Sequence, residues 1–128
     1  MTSHRFPIRV YYEDTDLAGL VYYANYLKFI ERGRSEWVRE LGIDQAALKA
    51  KTGAVFAVSR VEADYFKPGH YDDELVVVSV IAKHTPARVV FGQTVFRGDE
   101  KLFHADVTVV FLTADGRPQR LPEALLSV

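Results

Sequence analysis

Three carboxylates stand in four residues at Glu13-Asp14-Thr15-Asp16, a short way upstream of a long helical pattern that starts near Asn25. A carboxylate held beside a carbonyl carbon can attack it directly and form an anhydride, or it can deprotonate a water that attacks instead. Both routes put charge on the carbonyl oxygen, and the free N–H groups and positive dipole end of a helix N-terminus suit that charge. Between the acids and the helix, Gly19 lets the chain turn back closely and Val21-Tyr22-Tyr23 supplies apolar walls. The plainer reading of the same acids is a solvated turn capping its own amides. The glycine, the aromatic residues and the helix start together favour a site.

Other chemistries find little support. Cysteine is absent, which removes disulfides, thiolate metal ligands and a cysteine nucleophile. The chain has no Gly-rich phosphate loop and no G-x-S-x-G, and His4, His70, His84 and His104 do not pair at a metal-binding helical spacing. No metal site and no cofactor are expected. His104 reads as part of the less apolar side of a strand, His70 as a turn residue, and Asp72-Asp73 as the end of a loop after Pro68-Gly69. A net charge of −1 without a basic cluster argues against nucleic acid. The N-terminus lacks the apolar core of a secretory signal and no run is long enough to span a bilayer, so a soluble cytoplasmic protein is expected.

A chain of 128 residues, 48% of them apolar, fits one domain with a real core, here taken as residues 1–128. Tyr26, Ile30, Gly33, Trp37 and Leu41 recur at steps of three or four and define the buried face of the long helix. Lys28, Glu31, Arg32, Ser35, Glu36 and Arg39 fall mostly on its solvated side, where Arg32 and Glu36 are spaced to pair. Asn25 is the expected N-cap and Gly42 the residue that ends the helix. Gly33, costly inside a helix, predicts close approach to a sheet.

The sheet reads as five strands. Arg5–Tyr12 alternates, with Pro7 near its start. A short helix capped by Asp44 and ended by Thr52-Gly53 follows the long one. Ala57–Phe66 has one small or apolar face and one largely charged. Leu75–Ala82 and Val89–Phe96 are nearly continuous in apolar residues and should be central. Gly98-Asp99 turns the chain into Leu102–Leu112, and Asp115-Gly116 with Pro118 ends the sheet, leaving a short tail. Short connections favour antiparallel neighbours. One helix cannot cover both faces of strands this apolar, which predicts a homo-oligomer.

The run D-T-D-L-A-G-L-V-Y-Y-A-N-Y-L at Asp14–Leu27 resembles the hot-dog-fold acyl-CoA thioesterases of the 4-hydroxybenzoyl-CoA thioesterase family. The wider stretch from Val10 to Gly42 looks most like its Tol-Pal-associated branch. Tyr65, Pro68 and Asp72-Asp73-Glu74-Leu75 resemble that family's Y-x-x-P-x-x-x-D-D-x-L segment. The resemblance implies an α+β fold, a five-stranded antiparallel sheet wrapped around one long helix, with dimers that form a continuous sheet, often pair into tetramers and hold each active site between subunits. It implies Asp16 as nucleophile or general base, Asp14 as a loop organiser and the backbone amide near Tyr23 as the oxyanion contact. The Tol-Pal-associated branch commonly carries histidine where this chain has Tyr23, as the hydroxybenzoyl-type enzymes do. A phenol of pKa about 10 is a poor base, so the Tyr23 ring would shape the acyl pocket or donate a hydrogen bond.

By the same resemblance the substrate is acyl-CoA, with acyl carrier protein as the alternative carrier. Gly19, Val21, Tyr22 and Asn25 belong to the acyl side, and Lys83 and Arg88 are the cations for the nucleotide phosphates. Two competing readings share the fold. A non-catalytic acyl-CoA or acyl-carrier-protein binding module has no need for a carboxylate at position 16. A dehydratase needs a catalytic histidine, and none lies between Phe6 and Gly69.

Overall fold

The computed structural model describes residues 2–128, in which five long strands curve around one helix. Strand β1 (Ser3–Arg9) leads through a 3-10 turn at Tyr12–Asp14 to helix α1 (Asn25–Glu40) and the shorter α2 (Gln45–Thr52). The sheet continues with β2 (Val55–Tyr65), β3 (Glu74–His84), β4 (Arg88–Arg97) and β5 (Glu100–Leu112). The spatial order is β1-β3-β4-β5-β2, and every pairing is antiparallel. The two strands with the most continuous apolar runs, β3 and β4, thus lie in the interior, and Pro7 lies on an edge strand, where a missing N–H is tolerated.

Helix α1 buries Tyr26, Phe29, Ile30, Gly33, Trp37 and Val38 against the sheet. A Cβ at Gly33 would sit 2.8 Å from Val77 Cγ1, so the glycine marks the place where helix and β3 come closest. Along β5, Phe103, Ala105, Val107, Val109 and Phe111 point inward and are all buried. Beneath the helix, Gln93 is buried and donates to the Ile30 carbonyl and to Ser79 Oγ, while Arg34 donates to Gln93 Oε1 at 2.9 Å. This hydrogen-bonded set satisfies polar groups that would otherwise be costly between helix and sheet.

Several expectations need correction. Asn25 is the first helical residue and not the N-cap; Ala24 holds that position in a helical conformation, with no side-chain cap. Glu36 pairs with Arg39, one turn on, rather than with Arg32. Strand β1 ends at Arg9, and Tyr12 lies in the 3-10 turn, 80% exposed. The simple alternation of β2 breaks at Ser59, where the pairing with β5 slips by one residue between Val58 and Arg60. The tail is folded: Pro118–Gln119 form a short sixth strand, β6, on β5, and a last turn of helix, α3 (Glu123–Leu126), follows, with Leu121 and Leu125 buried in the core.

Parts of the sheet remain uncovered. Strand β2 pairs only with β5, and every residue from Val58 to Tyr65 is exposed. On the side of β3 away from the helix, Val76, Val78 and Val80 are only half-buried.

Candidate active site

The acidic loop is held by backbone hydrogen bonds that divide its acids into different tasks. Asp14 is buried; its Oδ2 accepts from Tyr11 N–H at 2.8 Å, and its carbonyl accepts from Tyr22 N–H and from Asn25 Nδ2, each at 2.9 Å. Asp14 and Asn25 therefore tie the loop to the start of α1, and the Asn25 amide works as a donor to the loop instead of as a cap. Asp16 stands at the neck of the next turn. Its N–H donates to the Leu20 carbonyl, Gly19 N–H donates back to the Asp16 carbonyl, and Gly19 has a φ of 79°, which a side chain would strain.

The Asp16 carboxylate is exposed and pinned on one side. Oδ1 accepts from Ala18 N–H at 3.0 Å and Leu20 N–H at 3.2 Å, whereas Oδ2 has no hydrogen-bond partner among the described residues. Asp16 opens onto a cleft of about 360 Å³ lined also by Val21, Tyr22, Tyr23, Tyr26, Tyr65 and Lys67. One wall is the helix start. Tyr22 N–H and Asn25 N–H are used inside the turn, but neither Tyr23 N–H nor Ala24 N–H meets an acceptor among the described residues. These are amides of the kind an oxyanion needs: fixed, near the positive end of a helix and beside a carboxylate.

The opposite wall comes from the end of β2. Tyr65 Oη donates to the Tyr23 carbonyl at 2.9 Å, and its ring packs edge-on against Tyr23, Tyr26 and Phe103. Tyr26 lies flat on Phe103 and accepts from Gly69 N–H at 2.9 Å, which joins the helix start to the Pro68-Gly69 turn. Burial pushes both phenols above their ordinary range, for Tyr26 against the opposing Gly69 contact and for Tyr65 with help from Tyr23, so both stay protonated at neutral pH.

Of the residues singled out in the sequence, Asp16, Val21, Tyr22 and Tyr23 line this one cleft. Gly19 shapes the turn and Asn25 lies behind it. Lys83 and Arg88 do not join them within one chain. They border a separate groove of about 630 Å³ with Arg60, Glu62 and Asp106. Position in the sheet explains this, since Tyr65 pairs with Phe103 near one end of β5 while Arg88 pairs with Val110 near the other. Sequence reasoning assigned no role in the site to Tyr26, Tyr65 or Lys67. Tyr26 shares the apolar stripe of the helix, and only its phenol oxygen hinted at a second task.

A thioesterase superfamily model matches residues 18–104. The acyl-CoA thioester hydrolase YbgC of Escherichia coli O6:H1 is 36% identical, with 98% of this chain and 95% of that protein covered. The acyl-CoA thioesterase YbgC of Haemophilus influenzae is 39% identical over 81% of this chain and 76% of its own length. Among solved structures, a probable thioesterase from Bartonella henselae superposes with a TM-score of 0.90 at 35% identity, covering 94% of this chain and all of the other. A 1,4-dihydroxy-2-naphthoyl-CoA thioesterase from Synechocystis shares the fold with a TM-score of 0.91 at 19% identity. With its antiparallel sheet curved around α1, this hot-dog chain belongs to the thioesterase superfamily.

Proposed function

We propose that the chain is an acyl-CoA thioesterase that releases a free acid and coenzyme A, with Asp16 acting on the thioester carbon. The observation that carries this reading is the half-free carboxylate of Asp16 on the same cleft as the unpaired amide of Tyr23. The likeness to acyl-CoA thioester hydrolases over nearly the whole chain supports it.

In the general-base route, Asp16 Oδ2 takes a proton from water as the hydroxide adds to the thioester carbon. Tyr23 N–H receives the oxyanion, and collapse expels the thiolate, which recovers the proton from Asp16. In the nucleophilic route, Oδ2 adds to the same carbon, the thiolate leaves, and water cleaves the resulting anhydride. Label found in Asp16 after a single turnover in ¹⁸O-water establishes the nucleophilic route, with water cleaving the anhydride at the aspartyl carbonyl; the base route labels the released acid alone.

The first test is thiol release from a panel of short, long and aromatic acyl-CoAs by the wild type and Asp16→Asn. Asparagine keeps the Oδ1 contacts to Ala18 and Leu20, so the loop should hold while turnover falls by about a thousandfold. An Asp16→Asn protein that kept wild-type turnover would remove this mechanism. A wild type that bound acyl-CoA and released no thiol from any panel member would leave the binding-module reading. In this reading the protein works in the cytoplasm, on coenzyme A thioesters, with acyl carrier protein as the alternative thiol carrier.

The functional unit in this reading is a homo-oligomer built on the free edge of β2, with dimers pairing further through the half-buried valines of β3. Self-pairing of β2 sets the first half of one strand beside the second half of the other. It is the arrangement by which the groove holding Lys83 and Arg88 in a second copy would approach an Asp16 cleft.

A further inference from the structure

Tyr26 lines the Asp16 cleft yet is buried, its ring packed against Phe29, Tyr65 and Phe103, so the polar end of the side chain is the part left to act. A phenol has one hydrogen to donate and an oxygen that accepts. In Tyr26 the acceptor half is used by Gly69 N–H at 2.9 Å, while the hydroxyl hydrogen meets no acceptor among the described residues. Tyr65 differs, because its hydrogen is committed to the Tyr23 carbonyl. A buried donor left unspent costs stability, and a bond accepted from an amide strengthens the O–H as a donor. A Cβ at Gly69 would stand 3.2 Å from Tyr26 Oη and 3.0 Å from Val21 Cγ2, so the phenol oxygen and Val21 meet over this glycine, where a side chain would crowd both. Val21 N–H donates to the Gly69 carbonyl at 2.8 Å, and Val21 is bridged to Thr15, the residue before Asp16. The phenol oxygen therefore sits against the segment that carries the carboxylate, on a residue that lines the same cleft.

We propose that Tyr26 is a further catalytic residue, its free hydroxyl hydrogen donated to the carbonyl oxygen of the bound thioester alongside the backbone amides at Tyr23 and Ala24. This rests on the thioesterase reading and adds a side-chain donor to it. No proton changes hands in the step. The O–H bond stays intact while charge gathers on the carbonyl oxygen during addition and leaves it as the thiolate departs. Burial holds the phenol above its ordinary range, so handing its proton to a leaving thiolate, whose thiol has a pKa of about 8–9 in cysteine, is uphill. A neutral donor fixed before the reaction needs no such transfer to favour an oxyanion.

The test compares Tyr26→Phe with the wild type in turnover and in calorimetric binding of two coenzyme A analogues. One is a thioether, which has no carbonyl; the other is a trifluoromethyl ketone, whose hydrate mimics the tetrahedral adduct. Tyr26→Phe should lower kcat by about a hundredfold, leave KM within about twofold, weaken the ketone by about the same factor as kcat, and leave thioether binding within about twofold. Equal weakening of both analogues would show a structural role and overturn the proposal, as would an unchanged kcat. Tyr26→3-fluorotyrosine keeps the Gly69 contact and serves if the phenylalanine variant fails to fold. Its more acidic phenol should move the alkaline fall in kcat to lower pH, because a phenolate has no hydrogen to donate; an unmoved fall overturns the proposal. The other titratable and charged groups facing the phenol, Tyr65 of β2, Arg97 of β4 and Asp73 of the loop before β3, are the same in both proteins. A wild type that releases no thiol sinks the thioesterase reading and this proposal with it, whereas wild-type turnover beside an unimpaired Tyr26→Phe sinks the proposal alone.

Discussion

The phenol of Tyr65 donates to the backbone carbonyl of Tyr23 at 2.9 Å, joining the last residue of β2 to a residue that lines the Asp16 cleft. A peptide unit held at its carbonyl cannot rotate freely, so this bond fixes the unit that carries the unpaired N–H of Ala24, directly after the Tyr23 amide. Tyr65→Phe removes only the hydroxyl. It should cost about 1 kcal/mol of stability and lower kcat several-fold, with a smaller change in KM. Thermal melts and steady-state kinetics check the two parts separately.

The two aspartates of the loop should fail differently. Asp14 is buried and its side chain accepts from Tyr11 N–H, whereas Asp16 is exposed. Asp14→Ala should destabilise the protein by about 1–3 kcal/mol, because a partly buried amide loses its acceptor. Asp16→Asn, which keeps the Oδ1 contacts to Ala18 and Leu20, should leave the denaturant midpoint close to wild type and lower turnover by about a thousandfold. Urea titrations of the two variants side by side give the contrast.

Gly33→Ala should destabilise, although alanine is the better helix former. Propensity offers about 1 kcal/mol in its favour, while a methyl 2.8 Å from Val77 Cγ1 forces repacking that costs about 1–3 kcal/mol. The valine is stiff and sits on an interior strand, so it cannot yield cheaply. The double variant Gly33→Ala/Val77→Ala should lose less stability than the two single losses added together.

Acid should weaken the Asp73–Arg97 link between the Pro68-Gly69 loop and β4. Burial alone would raise the Asp73 carboxyl, but the Arg97 hydrogen bond, the His70 N–H and the charge of Arg97 outweigh it and hold the group below its ordinary range. A depressed carboxylate contributes stability that is fully present above the unfolded value, near pH 4, and is lost as pH falls through the lower folded value. Asp73→Asn should therefore flatten the fall in urea midpoint on the acid side of about pH 4 while lowering the midpoint at neutral pH.

Much of the architecture could be read from local pattern. The α1 stripe, the close approach at Gly33 and the interior position of β3 and β4 follow from spacing, because each depends on neighbours a few residues away; spacing also pointed to the acidic loop, and the choice of Asp16 within it came from the family resemblance. What escaped depends on distant partners. Asn25 looked like a cap because its type suits one, yet its amide nitrogen is taken by a carbonyl eleven residues earlier. Tyr26 looked like core because its ring is core, and Tyr65 belonged to the small or apolar face of β2; their hydroxyls find partners 43 and 42 residues away. The slip at Ser59 leaves no mark in the pattern of β2, since both faces of that strand lack cover in the single chain.

Strand β1 finds its place only on β3, where Ser3 lies opposite Val80 and Arg9 opposite Glu74, and Arg9 fastens the end of that pairing to Asp72 and Glu74. During synthesis the first strand must therefore wait until more than half the chain has been made before its hydrogen-bonding edge is filled. The acidic loop, strung between β1 and α1, has no fixed base during that interval. Closing a loop of this length is slow compared with forming α1 or the β4–β5 hairpin, so the catalytic loop should be among the last parts of the molecule to reach its native shape during folding.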